Sequence, residues 1–117
     1  MGYESKVIIA RKYHKRQDNV LDIVAELALC GMCGEFLDLF DREWKTGYYD
    51  LVSGMTITQD RYDKPITYAT FNKVYKWCLD NAHKENYRRL DILLGILNSV
   101  RENWYDYGEF VILHYGY

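Results

Sequence analysis

The sequence predicts an α+β domain in which a mostly antiparallel sheet of about four to five strands packs against three helices, in the order ββαββααβ. Apolar runs of strand length lie near both ends of the chain, and segments with helical spacing of apolar residues lie between them. The chain has 117 residues, of which 49% are hydrophobic. A chain of this length and composition forms a single domain, 1–117, with one core.

The first two elements are predicted strands. Residues 6–13 begin with β-branched apolar side chains and end with basic ones, which is typical of a strand whose end reaches solvent. The polar segment 15–19 then forms a turn. Residues 20–29 fit either state, because their apolar residues alternate as in a strand while Leu, Ala and Glu favour helices. Gly31 and Gly34 would interrupt a long helix, so we predict a strand over 20–29.

The middle of the chain predicts a helix followed by a β-hairpin. Residues 33–45 carry apolar side chains at helical spacing, and Gly47 suits the position just after a helix. Residues 48–52 and 55–58 then flank Ser53-Gly54, which is compatible with a tight two-residue turn. The apolar residues that predict the helix are Phe36, Leu37, Phe40 and Trp44.

Two helices and a strand complete the predicted fold. A proline and a threonine within 65–67 open a helix that ends near His83. The next helix begins at Tyr87 and continues to Trp104, with leucines at the spacing of a helix that packs along one face. Residues 110–115 form a nearly continuous apolar run, which is typical of an interior strand covered on both faces.

The charge balance excludes a protein that attracts nucleic acid with its whole surface. Fifteen Lys and Arg residues stand against seventeen Asp and Glu, for a net charge of −2. The first 20 residues lack the apolar region of a signal peptide, and no apolar stretch is long enough to span a membrane. Three cysteines, an odd number, give no disulfide framework. We therefore expect a cytoplasmic protein.

The cysteines allow two chemical interpretations. Cys30 and Cys33 form a Cys-x-x-Cys pair where a strand is predicted to turn into a helix, a place where a helix N-terminus lowers a thiol pKa. A zinc site would add Cys78 and His83 as two further ligands. The alternative is that these cysteines are small core residues. The redox interpretation lacks the aromatic residue and the proline common in thioredoxin-like sites, and the gap between Cys33 and Cys78 is longer than zinc-finger spacing, so no cofactor is expected.

The sequence does not predict an enzyme. His14, His83 and His114 are each isolated from any serine or carboxylate that local geometry would place beside them. There is no Gly-x-x-x-x-Gly-Lys phosphate loop and no Gly-x-Gly-x-x-Gly motif after a strand. We therefore expect a non-enzymatic protein whose function is binding.

The basic segment 11–16 is the first candidate binding surface. It places four positive charges around an aromatic and a histidine at the tip of the first predicted hairpin, where it could contact phosphate groups. A nucleic-acid-binding regulator is therefore one alternative function, and a solvated turn with protective charges is the structural alternative. The candidate residues are Arg11, Lys12, Tyr13, Lys15 and Arg16.

Two further groups of residues are candidate contacts for a protein partner. Glu35, Asp38 and Asp41 recur every three residues on the predicted first helix and would offer an acidic stripe. Aromatic residues make up 16% of the chain, including twelve tyrosines, and such a surplus favours interfaces. Tyr48 and Tyr49 are the tyrosines singled out here. Exposed tyrosines would equally serve a homodimer.

Three short segments resemble small phage, prophage and other mobile-element proteins. They are Asp60-Arg61-Tyr62-Asp63-Lys64-Pro65-Ile66-Thr67-Tyr68, Tyr87-Arg88-Arg89-Leu90 and Leu113-His114-Tyr115-Gly116-Tyr117. The resemblance implies a setting in which small single-domain proteins bind and inhibit host complexes such as defence nucleases, anti-CRISPR proteins being one such class. The expected function is therefore a small interaction protein that binds and modulates a host macromolecular complex.

Overall fold

The computed structural model describes residues 5–12, 20–29, 34–84 and 88–116. Within these residues the chain forms seven strands, three helices and one 3₁₀ turn. The strands are β1 (Ser5–Lys12), β2 (Leu21–Ala28), β3 (Arg42–Glu43), β4 (Tyr48–Asp50), β5 (Met55–Ile57), β6 (Thr67–Thr70) and β7 (Phe110–Gly116). The helices are α1 (Gly34–Leu37), α2 (Phe71–Asn81) and α3 (Arg88–Asn103), and the 3₁₀ turn is Tyr107–Glu109.

All seven strands belong to one sheet, in the order β3-β6-β7-β1-β2-β4-β5. Neighbours pair antiparallel except β2 and β4, which pair parallel. The mixed α/β class and a mostly antiparallel sheet therefore agree with the sequence. The predicted four to five strands were too few, because the sequence shows no period-2 signal for strands as short as β3 and β6.

The sheet curls so that its two edges approach each other. Strand β3 at one edge ends at Glu43, and β4, next to the other edge, begins at Tyr48. The α-carbons of Glu43 and Tyr48 are joined by five residue-to-residue steps of about 3.8 Å each, so the two strands cannot lie far apart. Ile66, just before β6, accepts a backbone hydrogen bond from Trp44 at 2.8 Å and donates one to Thr58, just after β5, at 3.3 Å. These bonds connect the two ends of the sheet.

The curled sheet separates two apolar clusters. Successive β1 residues alternate between them, with Val7 and Ile9 on the helix side and Ile8 and Ala10 on the inner side. The helix-side cluster contains Phe36, Phe71, Val74, Cys78, Leu90, Leu93, Leu97, Val100, Phe110 and Ile112. The inner cluster contains Leu21, Tyr48, Ile66 and Leu113. Strand β7 contributes to both clusters, so its prediction as an interior strand covered on both faces is confirmed.

Two helical predictions were wrong in their extent. The first helix was expected over 33–45, but α1 ends at Leu37 and the chain continues into β3. The helix expected to open at 65–67 begins only at Phe71, because 67–70 is strand β6. Thr70 ends that strand and caps α2 by accepting a hydrogen bond from the Lys73 amide at 3.3 Å.

The other elements lie close to their predicted positions. The predicted bounds are confirmed to within one or two residues, at each described end, for strands β1, β2 and β7 and for helix α3. The hairpin of β4 and β5 is also present, but its connection is four residues, 51–54, since Asp50 pairs with Met55. The predicted turn at 15–19 lies outside the described residues. Within the described part, no helix is both long and apolar enough to cross a membrane.

Candidate functional site

The described part of the predicted basic segment lies at the end of β1. Arg11 stands opposite Phe110 of β7, and its guanidinium carbon is 5.8 Å from the centre of that ring. Lys12 is exposed at the end of the strand. Tyr13, Lys15 and Arg16 lie outside the described residues. Arg11 is therefore held against an aromatic ring on the helix side of the sheet.

The predicted acidic stripe is not a helix face. Only Glu35 lies on α1, whereas Asp38 follows the helix in a turn and Asp41 directly precedes β3. The Asp41 carboxylate accepts a hydrogen bond from the Lys73 ammonium at 3.5 Å. The interpretation of these three residues as one stripe was wrong, because α1 ends before the second of them.

The two predicted surface tyrosines differ in exposure. Tyr48 is 3% exposed and belongs to the inner cluster, where burial raises the pKa of its hydroxyl. Tyr49 is partly buried on the other face of β4. Tyr48 therefore fills the core and offers no surface to a partner.

The predicted zinc ligands do not converge where the structure describes them. Cys78 is buried in the helix-side cluster, and burial raises the pKa of its thiol to about 12. His83 is exposed in the turn after α2. Cys30 and Cys33 lie outside the described residues. Across the described ranges, no group of three or more His, Cys, Asp or Glu residues could hold a metal ion.

A polar cluster that the sequence did not predict lies between α2 and the end of α3. The Arg101 Nη1 donates a hydrogen bond to the Tyr75 hydroxyl at 2.6 Å, and that hydroxyl donates to the Asn98 Oδ1 at 2.6 Å. The guanidinium carbon lies 4.5 Å from the Tyr75 ring centre and 5.5 Å from that of Tyr107. The hydrogen bond to Tyr75 raises the pKa of Arg101, and cation–π contact with two rings fixes its orientation.

A row of aromatic rings connects this arginine with Arg11. The Phe71 ring centre lies 5.4 Å from that of Tyr107 and 6.4 Å from that of Phe110. Arg101 contacts Tyr107 at one end of the row, and Arg11 lies over Phe110 at the other. The two guanidinium groups therefore pack at opposite ends of one row of aromatic rings.

The surface around Arg101 combines aromatic rings with acidic residues. Tyr105 is fully exposed, and we define Tyr75, Arg101, Tyr105 and Tyr107 together as the arginine–tyrosine surface. Arginine and tyrosine are, with tryptophan, the residues enriched in the energetic centres of protein interfaces. The acidic residues of the same segment are exposed, namely Glu102, Asp106 and Glu109.

The tip of the β4–β5 hairpin is a second exposed surface. Leu51, Val52 and Met55 are 78%, 97% and 62% exposed. The Asp50 carboxylate accepts hydrogen bonds from the Val52 and Ser53 amides at 3.4 and 3.3 Å. The hydrogen bonds from Ser53 are the main cause of a lowered pKa at Asp50. These hydrogen bonds order the backbone of residues 51–54, where the Leu51 and Val52 side chains are exposed to solvent.

One depression in the described surface lies beside β3 and the start of α2. It is lined by Arg42, Tyr68, Thr70 and the ion pair of Asp41 with Lys73. The nitrogen of Lys73 and the oxygen of Asp41 lie 3.5 Å apart, and both side chains are exposed. His114 is partly buried beside Phe40, and burial lowers its pKa despite the attraction of Asp60.

No protein-family model, curated protein or solved structure matches this chain. Its surface chemistry is therefore the basis on which a function can be assigned.

Sequence reasoning missed the arginine–tyrosine surface because its members are far apart in the chain. Tyr75 and Arg101 lie on different helices, and no local spacing joins them. The signal that was present is the segment 104–107, where three of four residues are aromatic between a predicted helix and a predicted strand. Aromatic residues in a connection are more often exposed than those inside an apolar stripe, and here Tyr105 is.

Proposed function

We propose that this chain is a non-enzymatic interaction protein that binds a protein partner through the arginine–tyrosine surface. The observation that carries the proposal is the orientation of Arg101 by the Tyr75 hydroxyl and by two aromatic rings. A side chain that is already held in one geometry loses less conformational freedom on binding. The position of Arg101 therefore favours its use as an anchor in an interface.

The chemistry of Arg101 indicates the group it would bind. Its contacts in the described residues are with tyrosines, and none of the described carboxylates lies within ion-pair distance of it. A guanidinium has five N–H donors in a planar fork, and one of them is used by Tyr75. The others suit a carboxylate, which a fork of this kind binds through two parallel hydrogen bonds.

The neighbouring charges favour a protein over a nucleic acid. Glu102 and Asp106 follow Arg101 in the chain, are exposed, and would repel a phosphate backbone. A protein surface can place a carboxylate against Arg101 and basic or polar groups against these acids. Tyr105, four residues after Arg101 in the chain, adds a large exposed ring that is available for apolar contact with a partner.

The resemblance of the sequence to small phage and mobile-element proteins supplies the biological setting of the proposal. In that setting the partner is a host macromolecular complex, such as a defence nuclease, and binding inhibits it by covering a surface. Inhibition by occlusion requires affinity and shape, not a reactive group.

The experiment is affinity capture from bacterial lysate with the tagged wild type, Arg101→Glu and Arg61→Glu, followed by mass spectrometry. Arg61 is an exposed arginine on the loop before β6, so its variant carries the same charge change elsewhere. We expect a stoichiometric protein that survives nuclease, is retained by Arg61→Glu and is lost with Arg101→Glu. Melting temperatures of the three proteins show that each is folded.

Two results would overturn the proposal. Equal capture of the partner by Arg101→Glu and the wild type would show that the arginine–tyrosine surface is not the binding site. Recovery of nucleic acid alone, released by raised salt, would instead favour the nucleic-acid alternative based on the basic segment 11–16.

A further inference from the structure

One edge of the Arg101 guanidinium has no acceptor in hydrogen-bonding geometry within the described part of the chain. Nη1 donates to the Tyr75 hydroxyl at 2.6 Å, and this is the hydrogen bond that the described residues form with the guanidinium. Nε and Nη2 lie along the other edge, where their N–H bonds are parallel. Arg101 therefore retains the pair of donors that can bind both oxygens of one carboxylate.

A chain of two hydrogen bonds fixes the position of Nη1. The Tyr75 hydroxyl accepts from Arg101 and donates its own proton to Asn98 Oδ1, also at 2.6 Å. A hydroxyl hydrogen can rotate, so the group that accepts it determines where the oxygen lone pairs point. Hydrogen bonds in such a chain also strengthen one another. Asn98 therefore turns the Tyr75 oxygen toward Arg101 and acts on the arginine through this tyrosine.

Aromatic contacts restrict the guanidinium further. Its carbon lies 4.5 Å from the Tyr75 ring centre and 5.5 Å from the Tyr107 ring centre. The Tyr107 hydroxyl also contributes to the raised pKa of Arg101, after the larger effect of Tyr75. Tyr75 and Asn98 are partly buried on α2 and α3, whereas Arg101 is exposed. The contacts that orient Arg101 are therefore anchored in the packing of the two helices, and the arginine itself is accessible to a partner.

We propose that Arg101 binds an Asp or Glu side chain of the protein partner through its Nε–Nη2 edge, and that Asn98 is a positioning residue for this edge. The inference rests on the proposed function, because it defines how the arginine–tyrosine surface contacts its partner. A two-point contact fixes the angle of the bound carboxylate as well as its distance. An acidic side chain suits the site better than a chain terminus, which proteins capture in a nest of backbone amides.

Arginine side-chain NMR of the whole chain tests the positioning without a partner. The measured quantity is the rate of rotation about the Nε–Cζ bond of Arg101, which exchanges Nη1 with Nη2. Tyr75→Phe keeps the ring but removes the acceptor of Nη1, so rotation should become about tenfold faster or more. Asn98→Ala should also speed the rotation, by a smaller factor. Tyr105→Phe is the matched control, because it removes the hydroxyl of a fully exposed tyrosine and should leave the rate unchanged.

The affinity of the partner captured through Arg101 tests the two-point contact. Arg101→Lys keeps the positive charge but supplies no pair of parallel donors, so we expect binding to weaken about tenfold or more. Asn98→Ala should weaken binding by a smaller factor, and its melting temperature shows whether the fold is retained. Arg61→Lys makes the same replacement at an exposed arginine elsewhere and should bind as the wild type does.

Two outcomes contradict the inference. One is an Arg101 rotation rate that Asn98→Ala leaves unchanged. The other is a partner that binds Arg101→Lys as tightly as the wild type but is lost with Arg101→Glu, since the charge alone would then be recognised. That second pattern leaves the proposed function intact. Equal capture by Arg101→Glu and the wild type overturns the proposed function instead, and the rotation rates still decide whether Asn98 positions Arg101.

Discussion

The α-carbon of Gly47 lies so close to the backbone carbonyl of Ile57 that a β-carbon would overlap it. Gly47 also has a φ of +70°, which favours glycine over any other residue. Its carbonyl accepts the Leu21 amide at 3.1 Å, at the start of β2. The approach of these backbones is what lets residues 44–47 cross from one edge of the curled sheet toward the other.

Replacing Gly47 by alanine is therefore expected to destabilise the protein. The left-handed backbone alone costs about 1–2 kcal/mol for an alanine, and overlap with a backbone atom adds to it because a backbone cannot rotate away. We expect a total loss of about 3 kcal/mol or more in urea unfolding. Gly95→Ala is the control, since Gly95 lies inside α3 with open space around it, and it should stabilise by about 0.5–1 kcal/mol. Equal effects of the two substitutions would contradict this account.

Adjacent residues on α3 provide a second test of the helix-side cluster. Leu93 is fully buried, whereas Ile92 is 54% exposed. Leu93→Ala removes buried methyl groups and leaves a cavity, so it should cost about 2–5 kcal/mol in unfolding free energy. Ile92→Ala should change the unfolding free energy by about 0.5 kcal/mol or less, as is usual at a surface position. If Leu93→Ala and Ile92→Ala lower the free energy of unfolding by the same amount, α3 packs on the sheet through a different face.

The sequence predicted the long elements well and the short ones poorly. Strands β1 and β7 and helix α3 each bury enough side chains for the periodicity to be visible over their whole length. The segment 33–45 has the spacing of one helix, yet Phe36 packs in the helix-side cluster and Trp44 against the inner one. No single helix reaches both faces of a sheet, so pairing of β3 with β6 overrides the local pattern.

The candidate site was less predictable than the fold for a related reason. Arg11 could be named from the sequence because it lies in a run of basic residues. Arg101 could not, since its orientation depends on Tyr75 and Tyr107, which the packing of α2, α3 and the 3₁₀ turn brings together. The exposed apolar tip was equally hidden, because Leu51 and Val52 look like ordinary strand residues.

The Cys78 thiol is expected to be unreactive in the folded protein. Burial raises its pKa from 9.0 to about 12, which lowers the thiolate fraction at pH 8 by about a thousandfold, and the side chain is fully buried. A variant with Cys30→Ser and Cys33→Ser retains Cys78 as its only cysteine. Ellman's reagent should modify that variant rapidly in urea and negligibly without it. Rapid modification of the folded variant would show that α2 opens readily, contrary to its packing in the helix-side cluster.

His114 should make the stability of the protein depend on pH. Burial lowers its pKa below 6.5 in the folded state, partly offset by the nearby Asp60 carboxylate. Between that lowered value and 6.5 the unfolded chain binds more protons than the folded one, so the folded state loses stability as the pH falls through this window. Urea unfolding at pH 7.5 and 5.5 should therefore show a smaller decrease for His114→Gln than for the wild type. The comparison with the variant isolates His114 from the carboxylates, which also titrate toward low pH. Identical decreases would mean that His114 ionises equally well in both states.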